Sequence, residues 1–182
     1  EWWVAGFYVP RIALNLTATD FLRPGLSDRL EEAAKATSAP LDRLELEITE
    51  TSFMENLEDA VSKLNELRRA GISIAVDDFG TGYSSLTYLK RMPIQHIKID
   101  KQFVMDLLVH EEDTRIANTI IDLGKSLTLS VIAEGVETEE QAVYLRQRGC
   151  QLAQGFFFSK PLTPDKFETF TAKFHADLVR NV

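Results

Sequence analysis

The chain has little with which to hold a soft metal or a disulfide. One of its 182 residues is cysteine, Cys150, so no intrachain disulfide is available and nothing points to an oxidising compartment. Its three histidines, His96, His110 and His175, are too widely spaced for a histidine-rich zinc site. No apolar run approaches the roughly 20 residues that span a bilayer. The chain opens on Glu1 without a basic-then-apolar leader, and is expected to be a piece of a longer protein. Positive charge is also short, with 20 Lys and Arg against 28 Asp and Glu, a net charge of -8. Nucleic-acid backbones are bound through basic surfaces, so a nucleic-acid polymer is not an expected partner. Linkers, low-complexity tracts and short internal repeats are missing too. What remains is globular in composition, 45% hydrophobic and 26% charged, and long enough for a single domain with a sizeable core.

Two periodicities alternate along this composition. Strand character marks Arg11 to Leu16, Leu44 to Thr49, Ile72 to Asp77, Ile97 to Asp100, Ser130 to Glu134 and Leu152 to Phe157. Between these segments the apolar residues repeat at helical spacing, as in Leu57, Ala60, Val61, Leu64 and Leu67, then Ile116, Ile120, Leu123 and Leu127, then Phe167, Phe170, Phe174 and Leu178. Thr138 with Gln141 reads as a capping box, and Thr163-Pro164 as an N-cap followed by proline at the first helical position. Gly71 and Gly149 stand where helices hand over to strands. Strands alternating with helices imply a parallel sheet, because parallel neighbours need crossover helices.

The strands are apolar on one face, as in Leu44/Leu46/Ile48, Ile74/Val76 and Ile97/Ile99. The opposite face ends in a polar group: Asn15, Glu47, Asp77, Lys98, Glu134 and Gln154. A doubly wound sheet is covered on both faces and needs both apolar. One apolar and one polar-tipped face fits an α/β fold of the (β/α)₈ TIM-like barrel type, in which polar tips converge at the C-terminal mouth. Six strands are countable where such a barrel has eight.

The chemistry-bearing residues are mostly acidic: Glu45, Glu47 and Glu50, then Asp77-Asp78, then Glu134 and Glu137. A single carboxylate of this kind is ordinarily a solvated loop residue. Here the clusters stand at strand ends in one phase, with Lys98 in the same phase. Carboxylates gathered in one cavity repel and need a cation. Oxygen donors without His or Cys select hard ions, Mg²⁺ or Mn²⁺, and so oxygen-rich a site has room for two ions at the spacing that serves phosphate-ester hydrolysis. Asp78-Phe79-Gly80-Thr81-Gly82-Tyr83-Ser84-Ser85 reads as a glycine-rich loop beside the paired aspartates. Other features have plainer readings. Trp2 and Trp3 are expected to pack a helix end on the barrel, Phe156-Phe157-Phe158 to form the core of the last strand, Cys150 to be a buried small residue, and Glu111-Glu112-Asp113 to start a helix.

Taken together, Asn15-Leu16-Thr17, Glu47-Ile48-Thr49-Glu50, Asp77-Asp78-Phe79-Gly80-Thr81-Gly82, Lys98-Ile99-Asp100, Glu134-Gly135-Val136-Glu137 and Gln154-Gly155 closely resemble, in order and spacing, the EAL-domain phosphodiesterases that hydrolyse the bacterial messenger cyclic di-GMP. The resemblance implies hydrolysis to the linear dinucleotide pGpG. It implies Asn15, Glu47 and Asp77 as metal ligands and Asp78 as a ligand to a second Mg²⁺ or Mn²⁺ ion. Lys98 would orient the attacking water, and Glu134 would be ligand or general base. Glu137 and Gln154 would line the site, with Gly80, Thr81 and Gly82 in a loop anchored by Glu50. The family's Glu-Ala-Leu motif lies upstream of the position matching Asn15 and is not in this chain. Residues 1–182 are therefore expected to be one EAL-type domain, N-terminally incomplete, with about six of eight βα units and inactive alone. The same resemblance implies a homodimer formed through the barrel, upstream sensory or diguanylate-cyclase-like domains, and a bacterial cytoplasmic location with any membrane tether outside this chain. The alternative from another class is a receptor that binds cyclic di-GMP without cleaving it; a third is a regulatory scaffold.

Overall fold

A computed structural model describes residues 11–53, 57–81 and 86–180. Trp2 and Trp3 lie outside them. Six strands, β1 (Ile12–Leu16), β2 (Leu44–Thr49), β3 (Ser73–Phe79), β4 (His96–Ile99), β5 (Ser130–Ala133) and β6 (Leu152–Ala153), form one sheet. Every neighbouring pair is parallel, and spatial order follows chain order from β1 to β6. A doubly wound sheet reverses its strand order at a switch point. The unbroken order here is that of a barrel wall, with β1 and β6 at its two ends.

Among the described residues, eight α-helices connect or follow the strands: α1 (Ala18–Leu22), α2 (Leu26–Thr37), α3 (Leu57–Arg69), α4 (Leu86–Arg91), α5 (Lys101–Met105), α6 (Glu111–Leu127), α7 (Glu139–Arg148) and α8 (Pro164–Arg180). Their ends follow the local sequence signals. Thr138 and Gln141 form both halves of the capping box of α7. Gly71 and Gly149 stop α3 and α7 at φ near +90°, a conformation that costs any residue with a Cβ. The acidic run from Glu111 begins α6. No helix among the described residues is long and apolar enough to cross a membrane.

The apolar strand face is buried against these helices. Leu46, Ile48, Ile74, Val76, Ile97, Ile99, Val131 and Ala133 join Leu64 and Leu67 of α3, Ala117, Ile120 and Ile121 of α6 and Leu145 of α7 in one core. Each fully buried aliphatic side chain contributes roughly 1.5–3 kcal/mol by leaving water. Gly124 lets α6 lie directly on β5, since a Cβ there would sit 2.3 Å from Val131 Cγ2. Cys150 is buried, and its thiol donates towards the carbonyls of Val131 and Leu152.

Two expectations about the strands need correction. The last strand stops at Ala153, because Phe158 and Ser159 donate back to the Gly155 carbonyl and turn the chain. Phe156, Phe157 and Phe158 accordingly stand 56%, 42% and 47% exposed rather than in the core. β3 runs on to Phe79 because it carries a bulge: Val76 and Phe79 pair with Ile97 and Ile99, three steps on one strand against two on the other.

Candidate active site

The inner face of the sheet carries two separate polar clusters, and the register decides which residues join each. On β2, Glu45 pairs across from Ser73 and Glu47 from Ala75, so Asp77 lies two pairs further up, opposite Thr49. Asn15, exposed on β1, pairs directly with Glu47. Lys98 pairs with Ile132, so Glu134 stands just past the end of β5. The lysine side chain bridges this stagger. Its Nζ donates to Glu47 Oε2 at 2.6 Å, Glu134 Oε1 at 2.8 Å and Asp77 Oδ1 at 3.0 Å, one carboxylate for each ammonium N–H. The Lys98 side chain is only 3% exposed.

Burial and mutual repulsion shape the proton affinities. For Lys98, burial pulls the pKa down, but the bonds to Glu134, Glu47 and Asp77 outweigh it and hold the ammonium well above the ordinary lysine value. Glu134 goes the other way for a carboxyl. Burial pushes its pKa up, Lys98 pulls it down, and the negative neighbours Asp77 and Glu47 add to the rise, leaving it above the usual glutamate value. Asp78 is also raised, first by burial, then by a hydrogen bond with Asp100 and by the charge of Asp77.

The bulge in β3 accounts for the paired aspartates. In a regular strand consecutive side chains point to opposite faces. Asp78 adopts φ 53°, a left-handed conformation that aspartate tolerates better than most residues, and its N–H donates to Asp77 Oδ1 at 3.0 Å. Carboxylate oxygens of Asp77, Asp78 and Glu134 then lie within 4.8 Å of one another. Three converging carboxylates with no nitrogen or sulfur donor fit a hard divalent cation.

The remaining candidates sit around this centre. Glu50, in a 3₁₀ turn over Glu50–Phe53, is buried, and its Oε2 has no hydrogen-bond partner among the described residues. Gly80 and Thr81 follow Asp78 on the surface, with the Thr81 hydroxyl donating to the Asp78 carbonyl at 2.8 Å. Gly82 lies outside the described residues. Glu137 is exposed at the end of the β5–α7 loop, and the Gln154 backbone ties that loop to β6. A cavity of about 310 Å³ opens beside Gln154 among Phe156, Lys160, Leu162 and Phe167, but none of Glu47, Asp77, Lys98 or Glu134 lines it.

Glu45 does not belong with the other acids. It lies near the start of β2, where Arg11 Nη1 reaches its Oε2 at 3.0 Å and His96 Nδ1 lies 2.6 Å from the same oxygen. Burial raises its pKa, yet His96 and Arg11 more than reverse that and hold the carboxyl below the ordinary range. The shared strand phase of Glu45 and Glu47 concealed this division, since it fixes a face and not a level along the strand. Two contributors were not singled out from sequence. Asp100 caps α5 through the Gln102 N–H at 2.7 Å, and its carboxyl helps raise the pKa of Asp78. Its phase with Lys98, two residues earlier, was the available signal. Gln141 was read only as a helix cap.

Known proteins resemble this chain in sequence and in fold. Residues 5–161 match the family described as EAL domain. Cyclic di-GMP phosphodiesterase NbdA of Pseudomonas aeruginosa is 40% identical over 174 residues, 96% of this chain and 22% of that protein. The chain therefore spans about a fifth of the length of that curated relative. Among solved structures, the PaMucR phosphodiesterase complexed with c-di-GMP superposes with a TM-score of 0.86 at 39% identity, covering 91% of this chain and 67% of that one. The manganese and cy-diGMP complex of Klebsiella pneumoniae BlrP1 gives 0.75 at 34% identity, covering 83% of this chain and 39% of that one.

Proposed function

The chain belongs to the EAL-domain family, and from that premise we propose that it is the catalytic unit of a metal-dependent phosphodiesterase that opens cyclic di-GMP to linear pGpG. The observation that carries the reading is Lys98 bridging Glu47, Asp77 and Glu134, with Asp78 brought alongside by the bulge. Asp77, Asp78, Glu47, Glu134 and the Asn15 amide would hold two divalent cations, Mg²⁺ or Mn²⁺. Such ions, when bound, lower the pKa of a water and offset charge on the phosphate.

The chain's own residues supply the rest. Glu134 has a raised proton affinity and faces the carboxylate cluster, which suits it to accept a proton from an attacking water at its carboxylate oxygen. Lys98, permanently cationic, orients that water and opposes the negative charge that develops on the phosphate oxygens. Glu137 and Gln154 would line the site where the substrate binds, and Glu50 would fix the loop that begins at Asp78. The reading also carries a homodimer, further domains upstream and a place in the bacterial cytoplasm. It is supported by likeness to EAL structures holding cyclic di-GMP, with the small share of the longer relative covered leaving room for other domains.

The test is product chromatography of the full-length protein with cyclic di-GMP. Mn²⁺ or Mg²⁺ should support formation of pGpG, and Ca²⁺, which takes a looser and larger shell, should not. Asp77→Asn should abolish most turnover; undiminished activity in that variant overturns the assignment. Messenger binding without any turnover in the parent protein would favour the receptor instead.

A further inference from the structure

Gln141 is a buried side-chain amide with every hydrogen-bonding position in use. It is 6% exposed, and an amide offers two donors and a carbonyl with two lone pairs. Its Oε1 accepts from the N–H of Glu137 at 2.8 Å and of Thr138 at 3.1 Å. Its Nε2 donates to the carbonyls of Val104 at 3.0 Å and Met105 at 3.1 Å. The first pair belongs to the loop that leaves β5 through Glu134, and the second to the end of α5, the short helix that starts two residues after Ile99 and is capped by Asp100. One side chain thus ties together the segments that follow Lys98 and Glu134.

The loop between them has little freedom elsewhere. Gly135 sits at φ 70°, and a Cβ there would come 2.8 Å from the Lys101 Cβ. Val136 donates to the Gln154 carbonyl at 3.1 Å and accepts from Phe157 at 3.0 Å. Gly155 packs so closely on Val136 that a Cβ would lie 2.1 Å from its carbonyl oxygen. Glu134 itself donates its N–H to the Ile99 carbonyl at 3.2 Å. Capping α7 needs only the acceptor oxygen of Gln141; the two donations to α5 are superfluous to a cap.

We infer that Gln141 is a positioning residue, which holds the Glu134–Glu137 loop against α5 so that the Glu134 carboxylate keeps its place beside Asp77, Asp78 and Lys98. The inference rests on the reading of Glu134 as part of a metal-dependent site. Partners one step removed from metal ligands typically cost 10–100-fold in metal affinity or activity when lost.

The experiment compares Gln141→Met, which keeps the volume and loses all four bonds, with Thr138→Ala, which weakens the same helix cap and leaves the tether. Both are made in the full-length protein, with Mn²⁺ affinity read by calorimetry, turnover of cyclic di-GMP by chromatography and Tm by thermal unfolding. Gln141→Met should weaken Mn²⁺ binding about 10-fold or more and lower kcat to a similar degree, with KM within about threefold. Thr138→Ala should lower Tm while leaving Mn²⁺ affinity and kcat within about twofold of the parent. If Gln141→Met does not fold, Gln141→Glu replaces it, keeping the capping oxygen and losing both donors, with the same loss of Mn²⁺ affinity expected. Unchanged Mn²⁺ affinity and kcat in a folded Gln141 variant would make the residue a cap alone and overturn the inference. Parent protein that binds Mn²⁺ but does not cleave the messenger would overturn the enzymatic reading instead, and the Mn²⁺ affinities would still decide the role of Gln141.

Discussion

Replacing Lys98 by methionine removes an ammonium and keeps most of its stem. In metal-free protein this leaves Glu47, Asp77 and Glu134, each within 3.0 Å of the lost nitrogen, facing one another without a cation. Their side chains are 9%, 14% and 19% exposed, so water screens them poorly. Deleting one partner of a buried ion pair costs about 3–5 kcal/mol, and here three anions lose the same partner. For a chain of this size that corresponds to a fall of roughly 6–20 °C in Tm. The loss should depend on pH. Burial already lifts the Glu134 carboxyl above its ordinary 4.5 while Lys98 pulls it down, so losing Lys98 lifts it further. A carboxyl whose folded pKa exceeds its unfolded value gives the folded state the extra proton. Its penalty is therefore absent below the unfolded value and grows as pH rises through the folded one. The deficit should be large at about pH 8 and shrink towards about pH 5, and Mn²⁺ should shrink it at either pH by supplying the missing positive charge. Urea unfolding of parent and variant in chelator, at both pH values and then with Mn²⁺, measures each part. A deficit below about 1 kcal/mol at the higher pH, or one that ignores both pH and Mn²⁺, would refute the picture of a lysine-neutralised acid cluster.

Further outcomes follow from the same geometry. Gly155→Ala would drive a Cβ into the Val136 backbone, so the Glu134 loop must shift; turnover should fall about 10-fold or more, and parental kinetics would refute the close packing. Glu45→Gln removes a carboxylate held below its ordinary pKa by His96 and Arg11 against burial. The parent's advantage, about 1.5–3 kcal/mol, should be present above 4.5 and vanish as pH falls through the depressed folded value, as followed by urea unfolding. Residues 1–182 expressed alone should hydrolyse cyclic di-GMP far more slowly than the same residues within the full-length protein, since the edges of β1 and β6 carry no described strand partner; equal rates in a turnover assay would refute this.

Much of the architecture was legible because its signals are local. Alternation with period two gave the six strand positions and the apolar face, helical spacing gave α3 and α6, and the Thr138–Gln141 box and the glycines at 71 and 149 marked the helix ends where they occur. Each signal depends on a few consecutive residues and on steric and hydrogen-bonding rules that act within one turn or one pleat. The residue types of the acidic cluster were equally plain, and so was their preference for hard cations.

What the tertiary structure decided was which of these residues meet. Phase placed Glu45 and Glu47 on one face, but the pairing of β2 with β3, and of β3 with β4, put Glu45 beside His96 and left Glu47 to Lys98. No alternation rule brings Asp77 and Asp78 to the same cluster; the bulge does, because one extra residue in β3 undoes the opposition of neighbours. The turn at Gly155 exposed three phenylalanines that composition would bury. Gln141 showed its capping half in sequence, since Thr138 lies three residues before it, and hid its tethering half, since Val104 and Met105 lie 37 and 36 residues away. Contacts at such separation are set by parallel register and by the crossover helices between strands, and neither is written in any short stretch of the chain.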